Sequence, residues 1–308
     1  MKEQTSLKYS IIIPHFNIPV LLERCIKSIP HRDDLQIIVV DDKSSNENVN
    51  ELQRMAKAFP YVTFLYSDVN RGGGKARNVG LQHAKGKYVL FADADDFFNY
   101  CINDILDEYI NTDYDIVFFN ASFIDTNTYL PTERGTTLKS VVLEYERGHN
   151  MDLFRFLFGE PWCKLVNRNI IIRNHISFDE IPIHNDTKFS YLIGYYAKDV
   201  LFDNRALYCL ADRTGSVSKG LTDEKWQIRT MVFSEKNQFL KNHNIGLFDD
   251  LMITPFWWYI KKMDIVNYKK CISISKQYGF GHIFIACKLI KALLCVILRT
   301  GLNFLHIK

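Results

Sequence analysis

Three carboxylates within four positions, Asp93, Asp95 and Asp96, close the run Tyr88-Val-Leu-Phe-Ala92. A short apolar run of this kind reads as a buried parallel strand, and ligands of open α/β sheets collect at the carboxyl ends of strands. Like charges this close repel unless a cation or a donor-rich ligand offsets them. Asp93 and Asp95 are two apart, so a turn after the strand can aim both at one hard cation. Such an ion, Mg²⁺ or Mn²⁺, takes oxygen ligands and completes its shell with substrate phosphates. The competing structural reading is a solvated turn with a helix cap at Asp95 or Asp96.

Two further loops carry polar or aromatic groups directly after apolar runs: Pro14-His-Phe16-Asn17 after residues 9–13, and Asp41-Asp42-Lys43-Ser44 after residues 35–40. An aromatic for a base, a carboxylate for a base N–H or a ribose, and a metal for phosphates together make a mononucleotide cleft. Taken alone, Asp41–Ser45 is ordinary turn chemistry. Between the third and fourth apolar runs lies Asn70-Arg71-Gly72-Gly73-Gly74-Lys75-Ala-Arg77-Asn78-Val-Gly80. Its glycines let backbone approach a ligand, a helix start offers N–H groups, and Lys75 and Arg77 add cations suited to a diphosphate. The dinucleotide fingerprint fails, because Arg77 stands where its third glycine belongs, and so does the phosphate loop of nucleotide triphosphatases. A flexible loop with a helix cap is the structural alternative.

The elements that must hold these groups alternate. Strands are expected at 9–13, 35–40, 61–66 and 87–92, with helices at 18–29, 46–58 and 74–84 between them. That spacing predicts βαβ units and an α/β fold with a mostly parallel sheet. After about residue 112 the rhythm changes: 114–145 reads as short strands and a hairpin, 148–158 and 186–196 as helices, Val200–Leu210 as a strand, and everything beyond Thr222 as helix. Boundaries are expected near 125 and 220, setting off segments 1–125 and 126–220 from a helical region at 221–308.

The order PHFN, IIVVDDKSS, NRGGGKARNVGL and KGKYVLFADADD over residues 9–98 resembles the family-two glycosyltransferases, which have the GT-A fold. Later, Pro161-Trp162-Cys-Lys164-Leu165 is similar to a W-x-K-L block of bacterial polysaccharide members. His184-Asn185-Asp186-Thr-Lys-Phe189 is similar to their E-D-x-x-F block, with Asn185 replacing the usual Glu. Arg213-Thr-Gly-Ser216-Val-Ser218 is similar to their R-x-x-S-x-S loop. The resemblance implies that 1–125 is the nucleotide-sugar-binding half and 126–220 the acceptor-binding half of one catalytic domain, with Pro14, Phe16 and Asp42 lining a nucleoside pocket, Arg77 close to the donor diphosphate or sugar, and Asn17 and Lys75 also on the donor side. It also implies a D-x-D metal pair, Asp93 and Asp95, in which Asp95 is the direct ligand and Asp93 lies nearer the ribose. Asp186 would be the general base, with a helix N-cap as its alternative. Trp162 would be a platform for the acceptor sugar or else a buried core residue, Lys164 beside it would meet the acceptor or simply solvent, and Arg213, Ser216 and Ser218 would form a phosphate loop.

The implied activity is inverting, Mn²⁺- or Mg²⁺-dependent transfer from a nucleotide sugar, expected to be UDP-linked, to a glycan or lipid-linked acceptor. One base without a second nucleophilic carboxylate fits single displacement. Two other readings stay open. A haloacid-dehalogenase-like phosphatase also uses an apolar strand followed by D-x-D, though on its first strand. A nucleotide-sugar-binding subunit without activity would tolerate Asn185.

The 308 residues carry a net charge of +3, which argues against nucleic acid as the main partner. Seven scattered cysteines without a C-x-x-C pair read as free thiols, and a polar start leading straight into a strand reads as no signal peptide; together they predict a cytoplasmic protein. From Ile265 to Lys308 there are seven Lys or Arg and no Asp or Glu. Residues 283–305 are apolar but carry Lys288 and Lys291, too charged for a comfortable span. On a helical wheel Lys288, Lys291, Arg299 and His306 share a face, predicting contact with an anionic membrane surface at the inner face of the cell membrane, with Trp257, Trp258, Tyr259, Lys261 and Lys262 as a second patch. Docking on the catalytic domain or in a homodimer is the alternative.

Overall fold

The computed structural model describes residues 6–133, 135–213 and 220–305. It divides into two compact units, Met1–Ser216 and Val217–Lys308.

The first unit follows the alternation read in the sequence through β1 (Tyr9–His15), α1 (Pro19–Lys27), β2 (Leu35–Asp41), α2 (Asn46–Ala58), β3 (Val62–Tyr66), α3 (Gly72–His83) and β4 (Tyr88–Phe91). It then departs: β5 (Phe97–Phe98), α4 (Ile102–Tyr109), β6 (Ile116–Asp125), α5 (Thr136–Gly148), α6 (Asp152–Leu157), β7 (Lys164–Asn167), α7 (Arg168–Arg173), α8 (Thr187–Tyr196) and β8 (Val200–Asp212). All eight strands form one sheet in the order β3-β2-β1-β4-β7-β6-β8-β5. Strands β1 to β4 are mutually parallel where they pair, and β1 and β2 are buried almost throughout, as strands covered by helices on both faces must be.

The second half of the sheet is mixed. Strand β7 runs antiparallel to both β4 and β6, and β8 runs parallel to β6. Two reversals restore the original direction, so the carboxyl end of β8 emerges on the same edge as those of β1, β2 and β4. That topology brings Arg213 to the acidic cluster.

Within 114–145 the expected hairpin is a short one, in which the end of β6 turns back through an antiparallel bridge between Ile124 and Pro131, but the stretch that follows is helix α5 rather than strand. Leu138, Val141 and Val142 recur at the three-to-four spacing of a helix and are buried, and Tyr145 packs edge-on against Phe154 and Phe202. The β-branched residues that suggested strand lost to that periodicity.

The second unit is helical, as expected: α9 (Asp223–Asn242), a short 3₁₀ turn Asp250–Ile253, α10 (Thr254–Lys262), α11 (Ile265–Gln277) and α12 (His282–Leu305). Trp226, Phe233, Met252, Phe256, Tyr259, Cys271 and Ile285 are among its buried core residues. A buried ion pair, Lys236 with Asp249 at 2.5 Å, lies beside it, with the Asn237 amide donating to the Asp249 carbonyl at 3.0 Å. Among the described residues no helix is long and apolar enough to cross a membrane.

Of the basic stripe drawn on the tail helix, Lys288 is engaged within its own unit while Lys291 is exposed. The Lys288 ammonium sits 3.4 Å from the Phe248 ring centroid and 3.6 Å from Asp250. Ile285 and Leu289 are buried in the same unit. The Arg299 side chain and His306 lie outside what the structure describes.

Candidate active site

The three acids after β4 have separate surroundings. Asp96 turns inward, is 4% exposed, and accepts the Ala211 N–H of β8 at 2.8 Å. Asp93 and Asp95 stay partly open to solvent. The turn carrying them is held at both ends: the Asp93 N–H donates to the Tyr208 hydroxyl at 2.7 Å, and Arg24 of α1 donates to the Asp95 carbonyl at 2.5 Å and to Thr126 at 3.0 Å. Each carboxylate faces a cation. Arg77 pairs with Asp93 at 2.5 Å, and Arg213 pairs with Asp95 at 2.7 Å. Neither Arg24 nor Tyr208 stood out in the sequence, because the partner of each lies more than seventy positions away.

Along the β1–β2 edge the structure separates residues that line the cleft from residues that brace it. His15 is buried; its Nε2 accepts the Ile18 N–H at 3.1 Å, so its Nδ1 carries the proton donated to Asp41 at 2.8 Å. Ser44 donates to the same Asp41 carboxylate through its hydroxyl at 2.5 Å and through its N–H at 2.9 Å. Burial works against the Asp41 charge, but these bonds outweigh it and hold the carboxyl below its ordinary range.

Asn17, expected at the donor, has left-handed backbone and uses its amide oxygen to accept the Ser45 N–H at 2.8 Å and the Asn48 amide at 3.0 Å. Its side chain therefore braces the start of α2. Asp42, 4% exposed, accepts the N–H groups of Arg71 at 2.9 Å and Gly72 at 2.7 Å, which ties the β2 loop to the glycine-rich segment. A carboxylate has about four lone-pair positions, so capacity for a ligand donor remains. Pro14 is partly buried and Phe16 is exposed. A second exposed aromatic, Tyr66 at the end of β3, pairs in register with Asp41; the sequence reading passed over it as the close of a strand.

The glycine-rich segment opens α3, and Gly74 is there for space. A Cβ at that position would lie 2.1 Å from the Asp179 carbonyl oxygen and 3.1 Å from Asn185 Cβ. The loop 179–185 is thus pressed against the start of α3. Lys75 reaches across to Glu180 at 3.0 Å. Arg77 is 7% exposed and donates to Asn185 Oδ1 at 3.1 Å as well as to Asp93, while its Nε is buried without a hydrogen-bond partner. The Asn185 side chain, in place of the usual Glu, therefore orients Arg77 without neutralising it.

Asp186 occupies the N-cap position of α8, but its carboxylate makes no capping bond. Burial pushes it above the ordinary aspartate range; Arg77 pulls the other way, and Asp93 adds to the rise. A half-buried carboxylate raised in this manner is suited to accept a proton near neutral pH.

Of the two residues considered for the acceptor, Trp162 takes its alternative as a buried core residue, and Lys164 is buried rather than facing acceptor or solvent. Lys164 is 1% exposed, with its ammonium donating to the Phe158 carbonyl at 2.7 Å and to Ser190 at 3.0 Å. Trp162 is buried against Phe158 and stacks on Tyr208 at 5.9 Å. A buried ammonium needs its oxygens and an indole gains by stacking, so both residues serve the wall that carries Tyr208 and α8. Ser216 and Ser218 lie outside the described residues.

The donor set suits a divalent cation. Two carboxylates on one turn are hard oxygen ligands, and the arginines now facing them mark charge that an ion would balance. Among the described residues no three His, Cys, Asp or Glu side chains form a metal-ligating group.

A mixed α/β sheet, parallel through β1 to β4, with a paired acidic turn, a glycine-rich helix start and a raised carboxylate along one edge fits a GT-A sugar transferase. The model of the family described as "Glycosyl transferase family 2" matches residues 10–173, more than half of the chain, and the chain belongs to that family. It is 25% identical over 284 residues to the cholesterol galactosyltransferase of Borreliella burgdorferi, covering 85% of this chain and 77% of that one. Among solved structures, that of residues 1–349 of TarS from S. aureus in complex with UDP-GlcNAc superposes with a TM-score of 0.64 at 18% identity, covering 88% of this chain and 81% of that one. The mannosyltransferase PcManGT of Pyrobaculum calidifontis in complex with GDP-Man and Mn²⁺ gives 0.53 at 15% identity, covering 94% and 80%. The chain is a glycosyltransferase that uses a nucleotide sugar.

Proposed function

We propose that this enzyme inverts the anomeric centre of a UDP-linked sugar as it transfers it, with Mn²⁺ or Mg²⁺, to a hydroxyl of a glycan or lipid-linked acceptor during surface polysaccharide or glycolipid synthesis. The observation carrying the mechanism is Asp186: a raised carboxylate with no capping bond, electrostatically coupled to Arg77 and Asp93. Its proton-accepting form deprotonates the acceptor hydroxyl as it attacks, and one base acting opposite the leaving group fits a single displacement. Asp42 accepts from the base, Phe16 lies along it, and Tyr66 adds a second aromatic edge. Arg77, Lys75 and Arg213 hold the diphosphate, Arg77 being fixed in direction by Asn185. A divalent ion held by Asp95 and Asp93 would supply electrostatic stabilisation of the departing diphosphate.

The uridine donor is supported by the UDP-GlcNAc complex of TarS, the metal by the Mn²⁺ complex of PcManGT, and a lipid-type acceptor by the named activity of the B. burgdorferi relative. A lipid-linked acceptor places the enzyme at the inner membrane surface. The testing experiment is a thermal-shift screen of nucleotide sugars with and without Mn²⁺, followed by NMR of the product anomer. Inverted product from the best donor supports the reading, and retained configuration refutes it.

A further inference from the structure

The turn between α10 and α11 exposes a cluster of large apolar side chains. Met263 is 87% exposed, Ile265 and Val266 are each 66% exposed, and Ile260 is 46% exposed. They are consecutive or nearly so, hence contiguous, and Met263 is held outward by a left-handed backbone at φ 54° that closes α10. Exposed apolar patches of this kind mark a contact surface.

Its rim is cationic. Lys261 and Lys262 stand on the α10 side and Lys269 and Lys270 on the α11 side, all four exposed. Ile265 and Val266 precede Lys269 and Lys270 by four residues, so these lysines lie about one helical turn behind the apolar tip. The one carboxylate within the tip, Asp264, is committed to capping α11: it accepts the Asn267 N–H at 3.0 Å and the Asn267 amide at 2.8 Å. Behind the tip Trp258 is 39% exposed, stacked on Trp226 at 5.4 Å with the Lys262 ammonium 5.2 Å from its ring centroid.

We propose that the α10–α11 tip is the membrane-contacting surface of the enzyme, inserting Met263, Ile265 and Val266 at the acyl boundary of an anionic bilayer while the four lysines meet lipid phosphates. Charge complementarity selects this occupant: an apolar tip backed by four lysines, with its only acid capped, matches acyl chains below and anionic headgroups above. Trp258 sits at headgroup level, where indole rings concentrate. The inference rests on the membrane-surface location proposed above and shifts the contact from the α12 stripe to this turn.

The full-length chain is sedimented with vesicles of phosphatidylcholine alone and with phosphatidylglycerol added. Wild type is expected to bind only the anionic vesicles and to release as salt is raised. The Met263→Asp, Val266→Asp double variant is expected to lose about tenfold or more in partitioning, and Lys→Gln at the four lysines to abolish the preference for phosphatidylglycerol. Donor hydrolysis without membranes is measured alongside and is expected to be unchanged in both variants; its absence in wild type would count against the proposed activity, not against this surface. Failure of wild type to bind, unchanged partitioning of the double variant, or a wild-type dimer in light scattering that the variant dissolves would overturn the proposal.

Discussion

Replacing Asp186 by Asn keeps the side chain's size and removes its ability to take a proton. Transfer is expected to fall by about 100-fold or more while donor affinity, read by calorimetry, stays within about threefold. The wild-type pH profile carries the same assignment. On the proposed mechanism transfer needs the ionised carboxylate, and burial raises its pKa, so the acid limb of kcat/KM is expected above the ordinary aspartate value of 3.8. Arg213 gives a second residue-level prediction with two opposed readouts. It stands 2.7 Å from Asp95, where it opposes a cation. Arg213→Ala is therefore expected to tighten Mn²⁺ binding without nucleotide and to weaken nucleotide binding without Mn²⁺, both followed by calorimetry.

At the level of elements, the start of α3 and the loop before α8 are locked together at Gly74. A methyl group there meets the Asp179 carbonyl at 2.1 Å, so Gly74→Ala must displace the loop bearing Asn185. A loss of about 1–3 kcal/mol and of most activity is expected. Gly148→Ala, where a Cβ meets nothing within 4 Å, is the control and is expected to be neutral or mildly stabilising in the same melts. Asp41 tests the β1–β2 edge. Its Ala variant strands donors from His15 and Ser44, and about 2 kcal/mol should be lost. Because the folded-state pKa of Asp41 lies below its ordinary value, its contribution is full above that value and lost as pH falls through the lowered one. Denaturant titrations at falling pH should therefore bring wild type toward the variant.

The β1–β4 half and its loops were legible in the sequence because each site residue there follows its own strand, and period and punctuation are local signals. The acceptor side was harder to read. Trp162 and Lys164 belong to a short motif whose meaning depends on what covers it, and the structure covers both. Helix α5 hid behind β-branched residues. Arg24, Tyr208 and Tyr66 became visible only when the sheet closed and brought distant positions together.

Across the whole molecule, one edge of one sheet gathers the proposed nucleoside side, an acidic turn and a raised carboxylate, and the mixed half of the sheet returns β8 to that edge. The most direct measurement is a crystal structure of the enzyme with a UDP-sugar and Mn²⁺. The account predicts Asp95 ligating the ion, the diphosphate bridging it to Arg77 or Arg213, and Asp186 facing the anomeric carbon from the side opposite the diphosphate. A bound donor with Asp95 still paired to Arg213 and no ion beside it, or with Asp186 turned from the sugar, would contradict it.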